Sequence, residues 1–148
     1  MEGTYRLFGD IGSPYSYKMR AVMRYRRLPH VWIMRSKKAM EEIAHVKPPV
    51  IPVIQYPEDG SYHVDSTPMV YELEARHPGR RSVIPDDPYL AFLSHLIEDM
   101  ADEWLTKAMY GYRWWREVDQ AFCSSWLVNS FPRNSRVYLM GRTVRRMK

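Results

Sequence analysis

The sequence predicts an α/β domain over residues 1–78, a linker over 79–88 and a partial all-α domain with a basic tail over 89–148. Three observations carry that expectation. Up to residue 78, short β-branched or aromatic runs alternate with helical patterns, the order of a mixed sheet with helices packed on it. Residues 79–88 (GRRSVIPDDP) have no periodicity and contain two prolines. Beyond Pro88 the apolar residues recur at helical spacing.

Each element has a local reason. Thr4–Phe8 (TYRLF) is rich in strand formers, and Gly9 and Gly12 punctuate a turn after it. Ser13-Pro14 pairs a favoured N-cap with a favoured first helical residue, so a helix runs from Pro14 to about Leu28, ended by Pro29. His30–Met34 is a second strand, and Ser36 caps a helix through Lys37–His45. Val50–Tyr56 (VIPVIQY) is strand-like, but proline cannot stay in a central ladder. A cis-proline at Pro52, in a turn entering the strand, resolves that conflict. Glu58-Asp59-Gly60 turns a hairpin into Tyr62–Val64. Asp65-Ser66 then caps a helix from Thr67 to about Arg76, stopped by His77-Pro78-Gly79. The order is β-α-β-α-β-β-α.

Asp87-Pro88 is again a cap and a first helical residue. Leu93, Leu96, Ile97, Met100, Trp104, Leu105, Ala108 and Met109 form one stripe of the long helix that follows, with Glu98, Asp102, Glu103 and Lys107 opposite. Val118, Phe122, Trp126 and Leu127 suggest one more helix ending near Pro132.

Composition narrows the class of protein. With 45% hydrophobic and 26% charged residues, the 148-residue chain is neither disordered nor fibrous. Cys123 is the single cysteine, which excludes an intrachain disulfide, a Cys-x-x-Cys redox pair and a thiolate zinc cage. The five histidines lack i,i+4 pairing, so no metal is expected. The first residues carry no apolar signal core, and Gln120–Pro132 is too short and polar to span a bilayer, so a cytoplasmic protein without membrane contact is expected. The net charge of +5 sits in the tail: residues 133–148 hold six Lys or Arg and no acid, and the rest of the chain nets −1. Arg113-Trp114-Trp115-Arg116 is the one aromatic-basic cluster and follows a helical pattern, so nucleic acid is not the expected partner.

The residues SPYS at 13–16 stand where thioredoxin and glutaredoxin folds place Cys-Pro-Tyr-Cys, Ile51-Pro52 supplies the cis-proline, and Asp65-Ser66 opens the third helix. In this order, with the linker and helical remainder, the chain resembles the glutathione transferase superfamily. It is most similar to the serine- and cysteine-type classes (theta, zeta and omega). The resemblance covers residues 4–78 well and 88–116 loosely. It implies a thioredoxin-like fold, glutathione as co-substrate, a small electrophile as second substrate and a homodimer. Ser13 is implied as the catalytic residue that stabilises the glutathione thiolate. Ile51, before cis-Pro52, would pair its backbone with the cysteinyl amide. Ser66 would bind the γ-glutamyl carboxylate and Asp65 the γ-glutamyl ammonium. Lys37, Lys38 and Lys47 are candidates for the glycyl carboxylate. Ser16 replaces the second cysteine, which excludes dithiol exchange.

Two departures accompany the resemblance. KPPVIP lacks the glycine-bearing turn usual before the cis-proline, and 60 residues follow Pro88, about half the family's helical domain. The chain is therefore expected to be truncated or diverged after about residue 116. Trp114, Trp115, Trp126 and Phe131 would then need another partner, such as a second subunit. An alternative function is a non-catalytic interaction module on the same fold.

Overall fold

The structure, a computed structural model, describes residues 3–79 and 81–130. The basic run 133–148, Phe131 and the side chains of Trp126 and Leu127 lie outside the described residues. The chain divides into two compact units, Met1–Ser94 and His95–Lys148.

The first unit contains β1 (Tyr5–Gly9), α1 (Pro14–Tyr25), β2 (His30–Met34), α2 (Lys37–Glu42), β3 (Val53–Gln55), β4 (Tyr62–Val64) and α3 (Ser66–Arg76). The strands form one sheet in the order β2-β1-β3-β4. β1 and β2 are parallel, and β3 runs antiparallel to both β1 and β4. Alternation along the strands gives each face its own core. Tyr5, Leu7 and Ile54 pack with Met19 and Met23 of α1 and Met69 and Leu73 of α3. Phe8 and Val53 pack on the other face with Ala39, Ile43 and Val46.

Several boundaries differ from expectation. α1 ends at Tyr25 rather than near Leu28, because Arg27 takes a left-handed conformation (φ 56°). α2 ends at Glu42 rather than His45, with Ile43 as its C-cap. β3 keeps only three of the seven residues of 50–56, since Pro52 has no N–H to give the ladder. Gly9 closes β1 instead of opening the turn. A Cβ there would lie 2.4 Å from the Trp32 ring and 2.9 Å from the Ser16 Cβ, so only glycine admits that approach.

A buried guanidinium ties the helices together. Arg26 is fully buried; its Nη1 lies 2.6 Å from Glu74 Oε1 and its Nη2 donates to the His77 carbonyl at 2.6 Å. Glu74 Oε1 also accepts from Val83 N at 2.8 Å, which fixes the linker to α3.

α4 (Pro88–Met100) spans the boundary between the units, and a π-helical turn (Ala101–Leu105), α5 (Thr106–Trp114) and α6 (Glu117–Ser130) follow it. Asp87 caps α4 as expected, its Oδ1 accepting from Leu90 N at 2.9 Å. The predicted stripe is helical but not buried: Leu96, Ile97, Met100, Trp104 and Leu105 are 47–67% exposed. In α6, Cys123 is buried, and burial pushes its thiol pKa up.

Candidate functional site

The sheet register decides what can meet. Gly9 pairs with Met34, Phe8 with Val53, and Val53 with Val64. The C-terminal ends of β1, β2 and β4 and the N-terminal end of β3 therefore lie at one end of the sheet. The segments that leave or enter there are the 10–13 loop, Arg35-Ser36, Ile51-Pro52 and Asp65-Ser66. Thus Ser13, Ile51, Pro52, Asp65 and Ser66, drawn from distant parts of the sequence, gather at that end.

Ser13 is the N-cap of α1, with extended backbone and its Oγ accepting from Ser16 N at 3.1 Å. A cap serine uses its oxygen as acceptor, so its O–H remains a donor for a ligand. Asp10, buried beneath this loop, shapes it. Its Oδ1 accepts from Gly12 N at 3.0 Å, its carbonyl accepts from Ser13 N at 3.1 Å, and its N–H donates to Ser16 Oγ at 3.2 Å.

The Ile51-Pro52 bond is cis, as the sequence requires, and Pro52 is buried with Ile51 half-buried beside it. A second cis bond, Lys47-Pro48, lies in the same segment and was not anticipated.

Asp65 caps α3, accepting from Thr67 N at 3.3 Å, and Ser66 is the first helical residue, buried. Asp65 has φ 74°, a left-handed value unusual for a side-chain-bearing residue. Such conformations cost on the order of 1–3 kcal/mol and concentrate at ligand sites. The N-termini of α1 and α3 both open at this end of the sheet, giving two positive dipole ends suited to an anion.

Among the cations, Lys37 is exposed and only 3.8 Å from Glu41 Oε1, and Lys38 and Lys47 are exposed. Sequence reasoning passed over two others. Lys18 Nζ donates to Thr67 Oγ1 at 3.3 Å, bridging α1 to the start of α3. Arg35 follows β2, its N–H donating to the Gly9 carbonyl at 2.9 Å. Burial lowers its pKa, and the Asp10 charge opposes that shift. Their position just past a strand end or along α1 was the available signal.

Within the second unit, Ala108, Gly111, Tyr112, Trp115, Arg116 and Asp119 line a groove of about 320 Å³. Among the described residues, no group of three or more His, Cys, Asp or Glu is arranged to hold a metal ion, and no helix is long and apolar enough to cross a membrane.

A thioredoxin-like mixed sheet, with a cis-proline before β3 and a short helical segment after the linker, defines the class. Residues 7–81 match the family model described as glutathione S-transferase, N-terminal domain. The chain belongs to that family, in the glutathione S-transferase superfamily.

Solved structures share the fold. A tau class glutathione S-transferase from mango (Mangifera indica) is 18% identical with a TM-score of 0.61, over 72% of this chain and 49% of that one. A glutathione S-transferase from Methylobacterium radiotolerans, solved with glutathione sulfonate, is 21% identical with a TM-score of 0.60, over 97% and 61%. Another from Methylobacillus flagellatus, with glutathione bound, is 24% identical with a TM-score of 0.57, over 97% and 68%. This chain thus spans about half to two thirds of their length. The search of curated proteins gave no match.

Proposed function

We propose that the chain binds glutathione at the shared end of its sheet and that Ser13 stabilises the thiolate for attack on a small electrophile. The observation that carries this reading is the Ser13 cap geometry: the oxygen is engaged by Ser16 N, and the hydroxyl proton is left to donate. A hydrogen bond to a charged group contributes roughly 1.5–3 kcal/mol. That lowers a thiol pKa by about one to two units from about 8.5, enough to ionise much of it at neutral pH. Serine keeps its proton throughout, so no general base is needed.

In this reading the Ile51 backbone pairs with the cysteinyl amide as an added strand. Ser66 and the α3 N-terminus take the γ-glutamyl carboxylate, and Asp65 takes the ammonium. Lys18 joins Lys37, Lys38 and Lys47 as a source of positive charge for the carboxylates. The setting is the cytoplasm. Structures of the same fold solved with glutathione and with glutathione sulfonate support this ligand. Calorimetric titration of the folded chain with glutathione tests it. Saturable binding, weakened by Ser66→Ala, is expected; no heat from a folded chain overturns it.

A second reading is favoured by the exposed apolar row on α4, where Tyr89, Leu90, Phe92, Leu96 and Ile97 are all at least half exposed. The chain would then be an interaction module that works through a homodimer. Sedimentation should show a dimer, dissociated by Phe92→Glu with Ile97→Glu. A monomer at all concentrations removes this reading.

A further inference from the structure

On the edge strand β4, Tyr62 and Val64 pack on the α2 side of the sheet, which leaves His63 facing α3. There His63 Nδ1 lies 2.8 Å from Glu72 Oε2, and His63 Nε2 lies 2.9 Å from Ser61 Oγ. The Tyr56 ring meets the imidazole edge-on at 4.4 Å between centroids, and the Tyr56 hydroxyl donates to the same Glu72 oxygen at 2.8 Å. Burial, with Glu72 beside it, pushes the Tyr56 phenol pKa far up, so it stays a donor. A carboxylate on Nδ1 selects the tautomer with its proton there and aims the Nε2 lone pair at the serine oxygen. These are the distances and the order of groups that make a serine hydroxyl nucleophilic. Ser61 and His63 are both partly open to solvent.

We propose that Ser61 is an acyl-transfer nucleophile, with His63 as its general base and Glu72 as the positioning residue, acting on small activated esters. Ser61 Oγ bonds to the ester carbonyl carbon while its proton passes to His63 Nε2. The carbon–oxygen bond of the leaving group breaks, and the departing alcohol takes that proton. A water, deprotonated by the same nitrogen, then attacks the acyl carbon, releases the acid and restores Ser61. Glutathione takes no part, so this site stands apart from the one at the sheet end.

The surroundings set its limits. Glu58, Asp59 and Glu72 make the neighbourhood acidic, and the nearby Arg76 is paired with Glu58 at 3.3 Å and stacked on Tyr56 at 4.2 Å. Negative charge developing on the carbonyl oxygen gains little help there, so a good leaving group is required.

Asp59 adds a competitor. Its Oδ1 accepts from Ser61 N at 2.9 Å and from Ser61 Oγ at 2.6 Å. While the imidazole is neutral, the hydroxyl can turn to Nε2. Once the imidazole is protonated, Nε2–H must donate to Oγ, and the hydroxyl turns to Asp59. The groups facing this relay are Glu58 and Asp59 from the hairpin, Tyr56 beside it, and Glu72 and Arg76 from α3. Acylation therefore needs the neutral imidazole with the Ser61 hydroxyl turned from Asp59 to Nε2.

The test is p-nitrophenyl acetate with the full chain, without glutathione, followed by mass spectrometry of the trapped protein. An acetyl group located at Ser61 is expected. Ser61→Ala and His63→Gln should slow p-nitrophenol release by about a hundredfold. Glu72→Gln should lower the kcat of p-nitrophenol release with KM little changed, and Glu72→Asp should restore part of it, because the carboxylate positions His63 Nδ1; a merely structural role would show neither the split nor the rescue. Acetyl groups on lysines or Cys123 with Ser61 unmodified overturn the proposal. So does a folded Ser61→Ala chain that matches wild type. Because the adduct is located on wild-type protein, misfolding of a variant leaves the answer intact.

Discussion

At the scale of the residue, Ser13 has an observed capping role and a proposed catalytic one, and substitution can separate them. It caps α1, and in the proposed reaction it donates to a thiolate. Ser13→Ala removes both: about 1 kcal/mol of stability for the cap and about ten- to a hundredfold of thiolate-dependent rate. Ser13→Asp keeps a capping oxygen but sets a negative charge against the thiolate. We expect Ser13→Asp to melt like wild type while the bound glutathione thiol titrates at higher pH, read by ultraviolet thiolate absorbance. A low thiol pKa in Ser13→Asp would remove the hydroxyl from the mechanism. Ser13, Asp65 and Pro52 were legible in the sequence because caps and prolines act within a few residues of themselves. Lys18, Arg35 and the Ser61–His63–Glu72 relay were not, since the sheet and α3 choose their partners.

At the scale of the element, the Arg26–Glu74 pair holds α1, α3 and the linker to one another. Glu74→Ala would leave a fully buried guanidinium without its counterion, a loss of about 3–5 kcal/mol. Denaturant unfolding should show the midpoint fall with little change of slope. A shift under about 1 kcal/mol would mean that water reaches Arg26. The sequence placed Arg26 on the helical face with Met19 and Met23, but not its charge partner, which lies 48 residues away by the numbering of the pair. β4 and α3 were readable to within a residue because a turn glycine and an Asx cap bound them. The ends of α2 and β3 were not, since helix fraying and the missing proline N–H act through pairing rather than through pattern.

At the scale of the whole molecule, stability should depend on acid through the strand-to-helix pair Arg6–Glu42, 2.5 Å apart. The Arg6 guanidinium holds the Glu42 carboxyl below its ordinary value of 4.5. A depressed folded-state pKa adds stability that is present above the unfolded value and is lost as pH falls through the folded value. Glu42 is one-third exposed, so screening keeps this contribution small. Glu42→Gln should therefore lower Tm slightly at neutral pH and flatten its decline below pH 4.5. Parallel curves for variant and wild type would count against the pair. The α/β order of the first 78 residues was legible from alternation alone. The exposure of the α4 stripe was not, because periodicity marks an apolar face without naming what covers it. The two helix N-termini that share one end of the sheet have a kinetic consequence. They give the first unit two positive dipole ends on one side of its sheet, which draw small anions by field rather than by shape. Capture of an anionic peptide there should slow as salt is added, and inorganic phosphate or sulfate should compete for the same dipole ends.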